Sequence, residues 1–382
     1  MSNKKTLTRA FGSPLKYIQG PDEFDSLPEY IDIYGKHAFA LFDGFLFQSL
    51  SERLAEDCRG TGINCHMERF NGECCEKEVT RVTELCAQAD VLIGIGGGKT
   101  LDTIKFAANR LMKPFILCPT SASTDAPTSS MSVIYSETGE HLYCTIHRKG
   151  ADIVLLDSKI IAKAPVRLFV AGMGDALSTW FEAKANEASG HVNEIGKGYQ
   201  RTLLSLAVAE LCYRVVMEYG KAAKQAIEKG LCTKAVENVI EANTLLSGLG
   251  FENTGESAAH GIHSGLTAIP ETNKYFHGEK VAFGTLCELV LENAPQQEFE
   301  DVMSFCYCVG LPITLRDLGV EPTEENIHII AKKTVENGLI SSEPVVITEE
   351  VVYNAIAAAD LYGEAYKRSH DCSSAEHTCK TH

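Results

Sequence analysis

Three separate stretches of the chain could bring one carboxylate and two imidazoles to a single point. They are Gly172–Met173–Gly174–Asp175–Ala176–Leu177–Ser178–Thr179, Ala258–Ala259–His260–Gly261–Ile262–His263 and Tyr275–Phe276–His277–Gly278–Glu279–Lys280. Asp175, His260 and His277 are donor types that can meet at one divalent cation and leave a position open, as in a catalytic zinc site. Taken singly, each histidine reads more readily as a structural or surface residue. His263 reads equally as a reserve ligand, a proton carrier or packing behind His260.

A second chemistry-bearing stretch lies earlier. The apolar run Val91–Leu92–Ile93 leads into Gly94–Ile95–Gly96–Gly97–Gly98–Lys99–Thr100–Leu101–Asp102, after which helical periodicity sets in. Side-chain-free residues let the backbone approach an anion, and the following helix N-terminus offers unpaired N–H groups. A phosphate fits there. The spacing is not a P-loop, because Ile93 stands where that motif needs glycine, and Lys99 replaces the third glycine of the Rossmann fingerprint. A turn that binds nothing is the plain alternative, although ordering three successive glycines is costly.

These groups need elements to hold them. Apolar runs at His37–Asp43, Cys65–Phe70, Val91–Ile95 and Pro114–Leu117 read as strands. Helical spacing over Phe45–Glu56, Glu76–Gln88 and Thr100–Ala108 separates them, which implies parallel pairing. Asp43 ends the first strand, where an acid commonly accepts from an adenosine ribose and repels a 2′-phosphate, favouring NAD over NADP. It could equally cap the helix that follows. The hydroxyl-rich segment from Cys118 to Ser130 follows the last of these strands and suits a pyrophosphate, a carboxamide or a polyol, or simply a solvated loop. Beyond Pro165 only helical spacing appears, over Val166–Ala188, Tyr199–Tyr219, Gly220–Lys229, Lys234–Leu249 and Gly278–Asn293. The expected division is residues 1–162, an α/β nucleotide-binding domain with a parallel sheet, and residues 163–382, an all-α metal- and substrate-binding domain.

Composition narrows the partners. A net charge of −16 disfavours nucleic acid. No stretch approaches the ~20 apolar residues of a membrane span, and no secretory signal opens the chain, so a cytoplasmic protein is expected. None of the 14 cysteines forms a C-x-x-C pair, so free thiols are expected. The tail from His370 to His382 could scavenge metal but reads better as a frayed end.

Four motifs, taken together, resemble the glycerol dehydrogenases of the iron-containing alcohol dehydrogenase superfamily. They are Gly-Gly-Gly-Lys-Thr-Leu-Asp at 96–102, Ser-Thr-Asp-Ala-Pro-Thr-Ser at 123–129, Gly-Met-Gly-Asp-Ala-Leu-Ser at 172–178 and His-Gly-Glu-Lys-Val-Ala-Phe-Gly-Thr at 277–285. The resemblance runs in order over nearly the whole chain. It implies a dehydroquinate synthase-like fold with a cleft between the two domains, and a metal on Asp175, His260 and His277. It also implies an NAD site lined by Asp43, Gly96, Gly97, Gly98, Thr120, Ser123, Ser129, Met131 and Tyr135, with Lys99 and Asp102 beside the phosphate turn. Asp125 would reach the substrate.

Iron-type relatives carry a further His four residues after the motif's Asp. Thr179 stands there, so Zn²⁺ is the expected ion. The implied reaction is reversible oxidation of a small vicinal diol, with glycerol to dihydroxyacetone leading. Homo-oligomers are expected from the same resemblance. Dehydroquinate synthase and glycerol-1-phosphate dehydrogenase are rivals within the superfamily, and a non-catalytic NAD-binding sensor is a rival outside enzymes. The first two need basic residues for charged substrates. Only Lys274 and Lys280 lie near the motif histidines.

Overall fold

The computed structural model describes residues 7–378, with side chains as far as His370. The tail residues Cys372, His377, Cys379 and His382, raised above as a possible metal trap, lie outside the described side chains.

Among the described residues eight strands form in chain order: β1 Lys16–Gly20, β2 His37–Phe42, β3 Asn64–Arg69, β4 Val91–Gly96, β5 Phe115–Pro119, β6 Met131–Tyr135, β7 His141–Ile146 and β8 Ile153–Asp157. Six of them make one parallel sheet in the order β1-β8-β5-β4-β2-β3. Strands β4, β5 and β8 are buried along their whole length, as expected where helices cover both faces. Alternation sorts their side chains. Phe39, Leu41 and Leu92 enter a core shared with the helical half, while Ala38, Ala40, Ile93 and Ile95 enter a second core on the opposite face.

From β2 the chain moves outward to β3, then returns to the other side of β2 as β4 and continues to β5. The order reverses between β2 and β4. In open parallel sheets, the crevice beyond the carboxyl ends of such a strand pair is where ligands bind. Asp43 and Gly96 end those two strands side by side: a Cβ on Gly96 would lie 2.8 Å from that of Asp43.

The helices around the sheet are α1 Leu27–Asp32, α2 Phe47–Asp57, α3 Glu76–Leu85, α4 Gly98–Leu111 and α5 Ser158–Ala162. Among the described residues no strand follows β8. Helices α6 Val166–Ser189, α7 Leu203–Ile227, α8 Lys234–Glu241, α9 Ser247–Thr254, α10 Ala258–Leu266, α11 His277–Leu291, α12 Gln296–Val309, α13 Glu324–Asn337 and α14 Glu349–Thr378 build the second half. Two expectations change here. The helices placed at Tyr199–Tyr219 and Gly220–Lys229 are the single helix α7, which runs through Gly220 because that residue packs under the Phe305 ring. The helix placed at Lys234–Leu249 is α8 and α9, joined by a π-turn at Ala242–Leu246. Such turns are frequent at functional sites, and this one faces the loop that follows β5.

The described cysteines are all free. No helix among the described residues is long and apolar enough to cross a membrane.

Candidate active site

Helices α6, α10 and α11 bring Asp175, His260 and His277 together. Asp175 Oδ1 lies 3.0 Å from His277 Nε2 and 3.5 Å from His260 Nε2, and the two Nε2 atoms are 3.3 Å apart. Ligands about 2.0–2.1 Å from a tetrahedral ion stand roughly 3.3 Å from one another. The three atoms therefore have the mutual spacing of one face of a zinc coordination tetrahedron.

The sequence around each donor explains the convergence. A Cβ on Gly278 would fall 1.8 Å from Ala171 O and 2.9 Å from Asp175 N. Only glycine lets the first turn of α11 press this close to α6, and that contact carries the adjacent His277 to Asp175. Glu279 secures the same end. It accepts from Phe276 N–H at 2.7 Å and pairs with Arg167 Nε, near the start of α6, at 2.6 Å.

A second layer orients the imidazoles. His260 Nδ1 donates to Glu182 Oε2 at 2.7 Å, and Glu182 Oε1 accepts from the backbone N–H groups of Ser257 and His260. This fixes the tautomer that turns the Nε2 lone pair of His260 toward Asp175. His277 Nδ1 lies 3.1 Å from His263 Nε2. Burial, then the nearby His277, hold His263 well below the ordinary imidazole range, so it is a neutral acceptor for that contact. Glu182→Gln is expected to weaken metal binding about 10- to 100-fold while the fold persists, as loss of an orienting partner does. Chelator competition, with circular dichroism as the folding control, measures it.

Acids outnumber cations around this point. Burial opposes ionisation of Asp175, yet His277 and His260 outweigh it and hold the carboxyl well below its usual range. Burial also disfavours charge on His260, but Glu182 and Glu256 raise it well above the ordinary value. Asp125 is pushed up, first by burial and then by Asp175. A buried centre with this surplus of negative charge, and with oxygen and imidazole donors at ligand spacing, fits a divalent cation.

The loop after β5 links the Asp175, His260 and His277 cluster to the glycine turn. At one end, a Cβ on Gly98 would make ordinary contact with Thr124 Oγ1 and Ala126 Cβ, both at 3.6 Å. At the other, Asp125 Oδ2 accepts from Ser247 Oγ at 2.6 Å, and Ser247 Oγ is 3.2 Å from Thr179 Oγ1. Thr179, where a fourth ligand was considered, thus serves the hydrogen-bond chain that fixes Asp125.

At the switch point, Gly97 caps α4 in extended conformation and a Cβ there would meet nothing within 4 Å. The ordered N-terminus of α4 therefore faces open space. Asp43 Oδ1 accepts from Phe45 N–H at 2.9 Å, while α2 begins later, so Asp43 closes a turn and is not the helix cap. Thr120 N–H donates to Gly96 O, Ser121 and Ser123 share a hydroxyl contact, and Ser129 Oγ accepts from Met131 N–H. Lys99 is turned toward Glu73 at 2.5 Å, with its ammonium 4.7 Å from the Tyr135 ring centroid. Asp102 is buried, accepts from Val133 N–H at 2.9 Å and pairs with Lys105 at 2.8 Å, so its visible role is to brace the loop and hairpin.

Four residues that position the candidate site escaped sequence reasoning. Glu182 lies two helical turns from Asp175 on the same face of α6, a spacing that could have revealed it. Lys105, fully buried, donates to Ala126 O and Met131 O and holds the hydroxyl loop; a lysine on the apolar side of α4 was its signal. Asn243, in the π-turn, donates to Ala122 O at 2.9 Å and Phe169 O at 3.0 Å. Ser247 carried no signal at all.

The parallel sheet followed by a helical half is the dehydroquinate synthase-like architecture, here with a buried Asp-His-His centre. Residues 14–158 match the family model of the iron-containing alcohol dehydrogenases. Glycerol dehydrogenase of Citrobacter freundii is 44% identical, covering 94% of this chain and 99% of its own. The solved structure of a probable glycerol dehydrogenase from Sinorhizobium meliloti 1021 superposes with a TM-score of 0.87 at 47% identity, over 94% of this chain and 99% of that one. That of glycerol dehydrogenase from Schizosaccharomyces pombe gives 0.91 at 35% identity, over 96% and 94%. The chain belongs to the iron-containing alcohol dehydrogenase family, and these relatives place it beside its glycerol dehydrogenases.

Proposed function

We propose that this protein is an NAD-dependent oxidoreductase that interconverts glycerol and dihydroxyacetone, with zinc held by Asp175, His260 and His277. The observation that carries the reading is the spacing of three donor atoms, 3.0 to 3.5 Å apart, beside an acid fixed on the loop that reaches the glycine turn. When bound, zinc supplies Lewis acidity that eases loss of an alcohol proton, and NAD supplies the hydride acceptor.

The chain's own residues do the positioning. Glu182 locks the tautomer of His260, and His263 steadies His277. Asp125, held by Ser247, is placed to accept a hydrogen bond from a substrate hydroxyl and to pass its proton outward. Asp43, with one oxygen used by the Phe45 N–H, has the other for a ribose diol, and its charge disfavours a 2′-phosphate. The N-terminus of α4 at Gly97 and Gly98 would seat the pyrophosphate, with Gly96, Thr120, Ser123, Ser129, Met131 and Tyr135 around the dinucleotide. Lys99 and Asp102 support that wall through Glu73 and Lys105.

The acids around the centre favour a neutral polyol over the phosphorylated or carboxylated substrates of the rival enzymes. A cytoplasmic homo-oligomer with a division near Ile160–Ala162 completes the reading. A substrate panel tests it. NADH should accumulate with glycerol, 1,2-propanediol or 2,3-butanediol, stop on chelation and return with zinc. Accumulation with glycerol 1-phosphate alone, or none with any diol, would overturn it.

A further inference from the structure

Away from the catalytic centre, a second group of metal-ligating side chains lies behind α10. Glu288 lies in the last turn of α11, Glu292 caps that helix one turn later, and Glu343 follows the short turn Leu339–Ser342. One carboxylate oxygen from each lies within 4.8 Å of those of the other two. Glu288 is completely buried and Glu343 is 5% exposed.

Two of these acids hold the start of α10. Glu288 Oε2 accepts from Ala259 N–H at 3.2 Å. Glu343 Oε1 accepts from Ala258 N–H at 3.1 Å and from Ser257 Oγ at 2.6 Å. Helix capping explains those oxygens. It does not explain the others: Glu288 Oε1 and Glu343 Oε2 are buried with no backbone, amide or hydroxyl donor, and Glu343 meets only the carboxyl group of Glu292. Leaving such atoms unmatched is costly.

No cation among the described residues ion-pairs with the three carboxylates. Lys184, whose charge acts on Glu292 without pairing with it, is taken up by Glu298 at 3.3 Å and by the Phe181 ring at 4.7 Å. The partial charge of one helix N-terminus is about half an elementary charge, far short of three carboxylates.

We propose that Glu288, Glu292 and Glu343 form a second cation site, which takes a hard divalent ion of the calcium or manganese kind and braces the helix that presents His260. The donor set is all oxygen, which selects such ions over zinc, for which the imidazole-bearing centre is the better host. The span also fits. Oxygens on opposite sides of a calcium ion stand about 4.6–5.2 Å apart, so three donors within 4.8 Å of one another can share one ion. A shared proton joins only two carboxylates, whereas a cation can join all three. Without the ion, burial, then the neighbouring glutamates, raise Glu288 well above the carboxylate range, and burial pushes Glu343 up to about 7.

The test uses full-length protein already loaded with zinc. Calcium chloride, and separately manganese chloride, is titrated in by calorimetry, with zinc content and thermal unfolding followed in parallel. One further ion per chain should bind, and the Tm should rise by several degrees. Glu288→Gln and Glu343→Gln should each abolish the extra binding and the Tm rise while zinc content stays at one per chain. Should either fail to fold, the half-buried Glu292→Gln should show the same loss. No uptake at millimolar calcium or manganese, or uptake that persists in the folded variants, would overturn the site.

Discussion

Asp175→Asn is expected to lower kcat/KM for glycerol on the order of a thousandfold, about 4 kcal/mol of lost transition-state stabilisation. Asparagine keeps the shape of the side chain but removes the anionic ligand. It leaves the two imidazoles to hold the cation without the charge that lies 3.0 Å from His277 Nε2. Zinc content should fall with activity, because binding and chemistry share this carboxylate. Asp175 is buried on α6 amid well-packed neighbours, so thermal unfolding must be recorded alongside kinetics. A folded Asp175→Asn protein with full turnover would remove the metal from the mechanism.

Gly97→Val is expected to raise the Kd for NADH about a hundredfold, roughly 3 kcal/mol of binding, with little change in stability. The backbone of Gly97 has φ −86 and ψ 179, a conformation any residue adopts, and a Cβ there meets no atom within 4 Å. Nothing in the protein resists the side chain; only a ligand at the helix N-terminus would. Fluorescence titration with NADH reads the effect. Gly96 offers no such clean test, because a Cβ there would collide with Asp43 and Thr100. Undiminished affinity in folded Gly97→Val would mean that the dinucleotide phosphates sit elsewhere.

Much of this architecture was legible before any coordinates. Strands β2, β4 and β5 are apolar runs buried on both faces, the pattern that periodicity reads best. Strand β1, Lys-Tyr-Ile-Gln-Gly, is a sheet edge with polar residues, and only its pairing with β8 defines it. The hairpin β6–β7 lies on the hydroxyl-rich side of β5 and exposes most of β7, so it lacks a strong apolar signal. The helix break expected at Gly220 failed because propensity is local and the Phe305 ring that accepts the glycine is distant in sequence.

The site divides in the same way. Asp175, His260 and His277 were identifiable from residue type and motif, and they do converge. What orients them was not identifiable. Glu182 holds a histidine 78 positions away, and Ser247 holds an aspartate 122 positions away. Such pairings exist only once α6, α9 and α10 have packed. Asp102 shows the converse. Its place beside the glycine turn suggested contact with a cofactor, but burial and Lys105 make it a brace for the loop that carries Asp125.

Zinc-edge X-ray absorption on the zinc-loaded protein bears most directly on whether those donors share one ion. Two imidazole nitrogens and a carboxylate oxygen should surround each zinc at about 2.0–2.2 Å, with no sulfur in the shell. A spectrum dominated by thiolate ligands from this cysteine-rich chain, or one without imidazole, would mean that Asp175, His260 and His277 hold no catalytic metal.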